Sequence, residues 1–212
     1  MNRPVADRPV PISWRKVLVL AVAATAFGTA MAQGTAARAD VPTIKVGDRW
    51  KSERADRRTG LKEAEFIRTV TSVTASKIEG TENDNRFVLA ADLNAVENSV
   101  NVLSGDVKFF NFPLEVGKKW SFKYDATNKV NAAKLRFELD ATVVAYEKVK
   151  VTAGEFDAFR IEYKGFWNND RTSRRIIRTS WFAPAARANV RTEYDDTRNS
   201  WAEQLVEMQL QP

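Results

Sequence analysis

The residues available for catalysis are limited from the outset, because the 212-residue sequence contains no His and no Cys. Their absence excludes a Ser-His-Asp triad, a thiol nucleophile, a haem held by His and the zinc sites built from the usual ligands. It also excludes disulfides. A general acid or base would have to be Asp, Glu, Lys or Tyr. We predict no cofactor and no metal for this protein.

Two arrangements of the remaining residues could still carry chemistry. Ser121 and Lys123 have the spacing of a Ser-x-Lys dyad. Glu63 and Glu65 share one face of an expected strand, and 195–196 is a pair of aspartates, as a carboxylate-dependent hydrolase would need. Because the chain has 27 acidic residues, such pairs are equally expected on solvated strand faces and in turns. The sequence therefore favours a protein that is not an enzyme, with the hydrolase as an alternative.

Aromatic side chains form the second group of candidates, with 6 Trp, 4 Tyr and 12 Phe in the sequence. They could form the core of a sheet protein. They could instead line a concave apolar surface that takes a lipid or another apolar ligand. This second interpretation predicts a ligand-binding site made of Trp120, Tyr163, Trp167, Arg178 and Trp181, in which the arginine can pair with an anionic group.

A run with three Phe in four residues, at 109–112, supports the ligand interpretation. Side chains of an extended segment point alternately to opposite sides, so this run places aromatic groups on both of its faces. One of those faces must be covered by a second sheet, a partner or a ligand.

Arginine is concentrated in the C-terminal part of the chain. Eight arginines fall within 39 residues: Arg160, Arg171, Arg174, Arg175, Arg178, Arg187, Arg191 and Arg198. Arginine pairs bidentately with phosphate or carboxylate, which lipid headgroups, lipopolysaccharide and cell-wall acids all offer. Seven acidic residues lie in the same region, between 155 and 196. Cross-strand ion pairs on a solvated face are therefore the alternative.

The N-terminal segment is typical of a targeting signal. Four basic residues precede an apolar run over 17–32, which ends in Ala30-Met31-Ala32, with small residues where signal peptidase cleaves. We predict a signal peptide over residues 1–32, cleaved before Gln33; cleavage before Asp40 and an uncleaved anchor are the alternatives. The mature protein is then expected in the periplasm or outside the cell, touching the membrane only through its leader. A lipoprotein is not expected, because its lipid is attached to a Cys.

Half of the positive charge belongs to this leader. The whole sequence has 33 Lys and Arg against 27 Asp and Glu, a net charge of +6. The leader contains four basic residues and one acidic residue, so 29 basic and 26 acidic residues remain and the net charge falls to +3. Together with export, this mixed surface argues against a nucleic-acid partner. A lipid or another envelope component is the expected partner.

Apolar and polar residues alternate over much of the mature chain, the period of two that is typical of β-strands. The segments 156–167 and 174–182 alternate clearly and are separated by Asn168-Asn169-Asp170, so they predict a long β-hairpin. In the last strand, the even-numbered residues from Ala202 to Leu210 are expected to face inward.

Further strand candidates follow one another at intervals of roughly 10 residues, separated by turn-forming residues. They are 50–54, 64–73, 77–81, 86–91, 99–103, 119–124, 135–144, 148–151 and 192–194. No stretch of the mature chain gives a convincing amphipathic helix. The predicted fold is therefore all-β and antiparallel, either a β-sandwich or an open or half barrel.

One short motif occurs twice. Val46-Gly47-Asp48-Arg49-Trp50 recurs 70 residues later as Val116-Gly117-Lys118-Lys119-Trp120. Each copy is expected to be a turn at Gly followed by a strand that opens with Trp. We interpret the chain as two similar halves, 33–105 and 106–212, in one continuous domain, since no linker-like segment separates them. Chance similarity is the alternative, because the later matches between the halves are weak.

Three segments of the second half resemble a known family. They are 112–120 (FPLEVGKKW), 149–161 (VKVTAGEFDAFRI) and 181–184 (WFAP), and in this order they are similar to motifs of the TapB-like family of small exported β proteins. The resemblance covers about residues 110–195. It implies an exported β domain and supplies no catalytic residues. The Gly-containing turn that usually follows the last motif is missing, so we expect a different turn with Asn189 at positive φ.

These observations favour an exported β protein without enzymatic activity that binds an apolar or anionic component of the cell envelope. A structural or assembly role beside other envelope proteins is one alternative, and the carboxylate-dependent hydrolase is the other. The sequence predicts no particular oligomeric state.

Overall fold

Residues 37–212 are described by the computed structural model, and they are almost entirely β-structure. The signal peptide and the cleavage site before Gln33 lie outside the described residues. No helix in the described part of the chain is long and apolar enough to cross a membrane. The elements of residues 37–212 are β1 (Arg38–Ala39), β2 (Arg49–Asp56), β3 (Lys62–Val73), β4 (Lys77–Glu82), β5 (Asn85–Ala90), β6 (Ala95–Glu97), β7 (Asn101–Gly105), β8 (Leu114–Glu115), β9 (Lys119–Asn128), β10 (Lys134–Val151), β11 (Gly154–Asn169), β12 (Thr172–Ala183), a 3-10 turn (Pro184–Ala186), β13 (Ala188–Asp195) and β14 (Ser200–Gln209).

The described strands other than β1 and β8 form one closed antiparallel barrel. Its strands pair in sequence order from β2 to β14, and β14 returns to pair with β2, which makes the barrel an up-and-down meander. β8 pairs with β1 in a separate two-stranded sheet, so β7 pairs directly with β9. The prediction of an all-β antiparallel fold is confirmed. The predicted architectures, a β-sandwich or an open or half barrel, are wrong, because the barrel is closed.

The pairing of β14 with β2 decides between these architectures. It runs from Trp201 opposite Asp56 to Gln209 opposite Arg49 and joins the last barrel strand to the first. Closure leaves neither strand with an unpaired edge. Alternation in the sequence identifies the two faces of each strand, but it does not specify which distant strand will be its neighbour.

The predicted long hairpin is confirmed as β11 and β12. On β11 the predicted apolar face is buried, with Ile161 and Tyr163 at 0% and 1% exposure. On β12 the charged face is the inner one: Arg178 lies opposite Tyr163, whereas Ile177 is 40% exposed. The interior of the barrel therefore contains charged side chains as well as apolar ones.

The predicted inward face of the last strand is wrong over its first half. Leu205 is buried and Glu203 binds the inward-facing Ser52 and Arg54, whereas Gln204 is exposed. A β-bulge directly after Leu205 shifts the pairing with β2 by one residue. From there the even-numbered residues turn inward, so Met208 and Leu210 pack against the core as predicted. A bulge reverses the faces of a strand, and alternation alone does not locate it.

The Phe-rich run at 109–112 fills part of the barrel interior. Phe109 packs edge-on against Tyr163, with ring centroids 5.8 Å apart, and Phe110 packs in the same way against Phe182 at 5.0 Å. The barrel itself therefore supplies part of the cover that this run requires, and Phe109 and Phe110 also line the cavity described below.

The two copies of the repeated motif have matching main-chain geometry. Gly47 and Gly117 have φ values of 89° and 91°. Their N–H groups donate to the carbonyl oxygens of Val70 and Val143, at 2.9 and 2.8 Å, each on the next barrel strand. A β-bulge follows directly after each of these valines. Beyond these positions, the interpretation of two similar halves stays a prediction.

The turn after β12 differs from the expected form. Arg187, and not Asn189, takes the left-handed conformation, with φ at 56°. Its N–H donates to the carbonyl oxygen of Pro184 and closes the 3-10 turn. The Arg187 guanidinium binds Asp48, and this ion pair holds the residue in place.

Candidate ligand-binding site

The barrel interior contains a cavity of about 570 Å³ that opens to solvent, on the side formed by the first-half strands and by β13 and β14. Cavities that bind small molecules commonly measure about 300–1,000 Å³. The opposite side of the interior is filled by buried side chains such as Tyr163 and Phe159. Apolar residues of the cavity wall include Trp50, Val70, Ile78, Phe87, Leu89, Phe182, Val190 and Leu205. Such a wall can cover an apolar molecule.

Ion pairs interrupt the apolar wall on β2, β3, β4 and β14. An Arg54 nitrogen lies 2.9 Å from a Glu203 carboxylate oxygen, and Arg68 pairs with Glu82. The Ser52 hydroxyl donates to Glu203 at 2.8 Å. These residues were missed in the sequence analysis. Arg54 and Ser52 stand at alternate positions after Trp50, so the period of two on β2 would have placed them inside.

Arg54 also lines a second pocket beside the cavity. Its guanidinium lies between the rings of Phe66 and Trp201, 4.7 and 3.9 Å from their centroids. Arg54 and Trp201 line both the cavity and a pocket of about 350 Å³ whose other walls are mostly polar, among them Asp56 and Arg198. Cation-π contacts of this kind hold an arginine in a fixed position inside an apolar wall.

Arg178 lines the cavity from the filled side of the barrel. Its guanidinium lies 4.8 Å from the centroid of the Phe109 ring and 5.7 Å from that of Tyr163. Its Nε donates to the Ser180 hydroxyl at 3.2 Å. Within residues 37–212, Arg178 takes part in no ion pair, unlike the other arginines of the wall.

The four aromatic residues predicted to bind a ligand do not line the cavity. Tyr163 is 1% exposed, and its hydroxyl donates to the carbonyl oxygen of Phe109 at 2.7 Å. Each of the three indole N–H groups donates to another segment of the barrel: Trp120 to the Lys108 carbonyl at 2.7 Å, Trp167 to Asp196 at 3.2 Å and Trp181 to Glu147 at 2.8 Å. These four side chains hold segments of the barrel together, and Arg178 is the predicted site residue that reaches the cavity.

The tyrosines around Arg178 remain neutral at physiological pH. Burial raises the pKa of the Tyr163 and Tyr124 phenols well above the ordinary value, and the positive charge of Arg178 opposes this shift only in part. Burial also raises the pKa of Tyr194, and the neighbouring Asp196 carboxylate adds to that shift. These phenols therefore do not supply the negative charge that would balance Arg178.

The Ser-x-Lys pair does not act as a unit. The Ser121 hydroxyl donates to Asp140 at 2.6 Å, while the Lys123 ammonium lies 2.8 Å from a Glu138 oxygen, and both side chains are exposed on the outer face of β9. Nothing in this arrangement directs the ammonium towards the hydroxyl.

Most carboxylates of the predicted acidic pairs form ion pairs or hydrogen bonds with other residues. Glu65 forms ion pairs with two lysines. Asp196 accepts hydrogen bonds from the Trp167 indole and the Tyr194 hydroxyl, both at 3.2 Å. Glu63 is exposed and lines the polar pocket. Residues 37–212 contain no cluster of three or more acidic side chains placed to hold a metal ion.

Comparisons with known proteins show that solved structures share this fold. No family model and no curated protein matches the chain. It is similar to a solved exported protein of Bacteroides fragilis, described as having a YmcC-like fold, with a TM-score of 0.59 and 14% identity over 81% of this chain and 99% of that one. It is also similar to a lipoprotein of Parabacteroides distasonis, with a TM-score of 0.55 and the same identity and coverage. At this identity the likeness shows a common all-β fold.

Proposed function

We propose that this protein is an exported binding protein that holds an apolar ligand inside its barrel, and that it is not an enzyme. The observation that carries the proposal is the cavity of about 570 Å³, whose wall combines apolar side chains with paired charges. Protein interiors are normally close-packed, and voids forfeit stabilising contacts. An open interior of this size is best explained by a molecule that fills it.

The polar groups of the cavity favour binding over catalysis. Its three acidic side chains, Glu82, Glu97 and Glu203, are each in an ion pair with Arg or Lys. A carboxylate whose charge is already balanced in this way is a poor candidate for attack or proton transfer. This arrangement argues against the carboxylate-dependent hydrolase.

Two observations, one on the sequence and one on similar structures, support export of this protein. The N-terminal 32 residues have the composition of a signal peptide, and the two similar structures are described as an exported protein and a lipoprotein. We place this chain in the same kind of compartment. It has no Cys to carry a lipid, so a soluble periplasmic or extracellular form is proposed. The resemblance to the TapB-like family agrees with this placement and stays part of the proposal.

Binding of the neutral apolar dye N-phenyl-1-naphthylamine tests the proposal. Ala95 of β6 lines the cavity, so Ala95→Phe places an aromatic ring in the space meant for the ligand. We expect saturable fluorescence enhancement with the purified wild-type protein. The variant should bind the dye about tenfold more weakly, because the ring competes for the same volume.

Val96→Phe is the matched control. Val96 follows directly in the same strand but is 37% exposed and does not line the cavity, so this variant should bind the dye like the wild type. Absence of saturable dye binding by the wild type would overturn the proposal and favour the structural or assembly role. Undiminished binding by a folded Ala95→Phe variant would place the ligand outside the barrel.

A further inference from the structure

The charges of the cavity wall are balanced with one exception. Arg54, Arg68, Arg187 and Arg191 all line the cavity, and each has a carboxylate oxygen at 2.9 Å or less. Arg178 lines the same cavity without such a partner among the described residues. Among the lining arginines, Arg178 is thus the one whose positive charge has no carboxylate partner within residues 37–212.

Local contacts fix the direction of this cation. Ser180 is 0% exposed, and its hydroxyl accepts a hydrogen bond from Arg178 Nε at 3.2 Å. The rings of Phe109 and Tyr163 pack against the guanidinium. Within residues 37–212, the two terminal nitrogens, Nη1 and Nη2, take part in none of the side-chain hydrogen bonds. The guanidinium is therefore held at one nitrogen and leaves its two-pronged end free.

Such a cation is unfavourable unless an anion balances it. A charged group that packs against apolar side chains loses part of its hydration, and a partner of opposite charge offsets this loss most strongly. In the same surroundings the attraction between opposite charges is stronger than in water. The two terminal nitrogens of a guanidinium match the two oxygens of a carboxylate or phosphate.

We propose that Arg178 binds the anionic head of an amphiphile, a carboxylate or a phosphate, whose apolar body occupies the cavity. This inference rests on the proposed function, because it requires a ligand inside the barrel. It adds that the ligand is negatively charged and that one residue selects for the charge. The ligand class is accordingly a single-headed anionic amphiphile such as a fatty acid or an alkyl phosphate.

Three probes with the same alkyl chain separate charge from apolar binding: dodecanoate, dodecyl phosphate and dodecanol. Each is titrated against the purified exported protein as displacement of N-phenyl-1-naphthylamine. We expect at least one of the two anions to bind about tenfold more tightly than the alcohol, as charge-assisted hydrogen bonds in a water-poor site would give. Comparison of the two anions shows whether a carboxylate or a phosphate fits better.

Variants of two arginines on β12 test whether Arg178 causes the preference for anions over the alcohol. Arg178→Gln should bind anions and alcohol equally, whereas Arg175→Gln should keep the preference, because Arg175 is exposed on the outer face of β12. Arg178→Lys keeps the charge but loses the two-pronged geometry, so a reduced preference is expected. This variant serves if Arg178→Gln does not fold, as judged by circular dichroism.

The outcomes separate the two proposals. If the wild type binds the dye and all three probes with equal affinity, the anion site does not exist, while the apolar binding function stands. A preference for anions that survives at full strength in Arg178→Gln, or in Arg178→Lys where that variant replaces it, also overturns the assignment. If the wild type binds neither the dye nor any probe, the proposed function itself fails.

Discussion

At the scale of single residues, Asp48 connects three distant segments of the fold through one buried carboxylate. It is 0% exposed, and its carboxylate accepts hydrogen bonds from the N–H groups of Lys45 and Gln211 at 2.9 and 2.8 Å. The same carboxylate binds Arg187 through both oxygens, at 3.1 and 2.9 Å. Lys118 stands at this position in the second copy of the motif and donates to two main-chain carbonyls instead. Asp48 thus ties the first turn, the turn after β12 and the C-terminal segment together.

Replacing this carboxylate should destabilise the protein strongly. Asp48→Ala leaves the half-buried Arg187 without its counter-charge, and loss of one partner of a buried ion pair costs about 3–5 kcal/mol. Urea denaturation followed by circular dichroism measures the change in the free energy of unfolding. Glu138→Gln is the control, because Glu138 pairs with Lys123 on the surface, where both side chains are more than half exposed. Similar unfolding midpoints for the two variants would contradict the role assigned to Asp48.

At the scale of elements, the turn between β13 and β14 depends on two adjacent aspartates. Asp195 accepts a hydrogen bond from the Thr197 N–H at 2.8 Å, and Asp196 accepts one from the Asn199 N–H at 2.7 Å. Burial alone would raise the pKa of Asp196, but the hydrogen bonds it receives outweigh burial, and its pKa is lowered. The pKa of Asp195 is lowered chiefly by the Thr197 N–H. The charged forms of both residues therefore stabilise this turn.

This turn makes stability sensitive to acid. A carboxyl whose pKa is lower in the folded than in the unfolded state stabilises the fold fully above the unfolded value of about 4, and this stabilisation is lost as the pH falls through the folded value. Asp196→Asn should therefore flatten the fall in urea midpoint below about pH 4. The measurement is a series of urea titrations between neutral and acid pH.

Asp84→Asn is the control for that series. Asp84 is exposed in the β4–β5 turn and accepts no hydrogen bond within residues 37–212, so its replacement removes no native contact. The role of the β13–β14 turn would be refuted if Asp196→Asn and the wild type lost stability equally on acidification.

At the scale of the whole molecule, pairing around the barrel is uneven. β10 and β11 pair along almost their full lengths, from Arg136 opposite Asn168 to Val151 opposite Gly154. β6 has three residues and pairs with β7 only through Glu97. β6 and β7 also form part of the cavity wall. The weakest part of the barrel ladder therefore borders the proposed ligand site.

This difference should appear in amide hydrogen exchange measured by mass spectrometry. We expect the fastest exchange among barrel strands in 95–105 and the slowest in β10 and β11, because short, sparsely paired strands open at low free energy. Addition of N-phenyl-1-naphthylamine should slow exchange in 95–105, since a molecule in the cavity contacts that wall. Uniform protection around the barrel, or a ligand effect confined to β10 and β11, would contradict this expectation.

Part of the candidate site could be predicted from residue types and alternation. Arg178 was identified because arginine is the natural partner of an anion, and the structure places it in the cavity wall. Arg54 is absent from the predicted site, although it lies four residues after the buried Trp50 on β2 and therefore on the same strand face. The sequence predicts Trp120, Trp167 and Trp181 in the ligand site, whereas the structure uses them to join segments of the barrel. An aromatic side chain suits a core, a pocket or a strand-to-loop contact equally well, and no local pattern distinguishes these settings.

Residue types and alternation are enough to predict antiparallel β-structure and the β11–β12 hairpin, and to exclude His or Cys chemistry. Those properties are local, since they depend on composition and on a period of two along single strands. The closure of β14 on β2, the bulge after Leu205 that reverses a strand face, and the packing of 109–112 inside the barrel become visible only in the folded protein. These features depend on which distant segments meet, and the cavity is the space left after they have met.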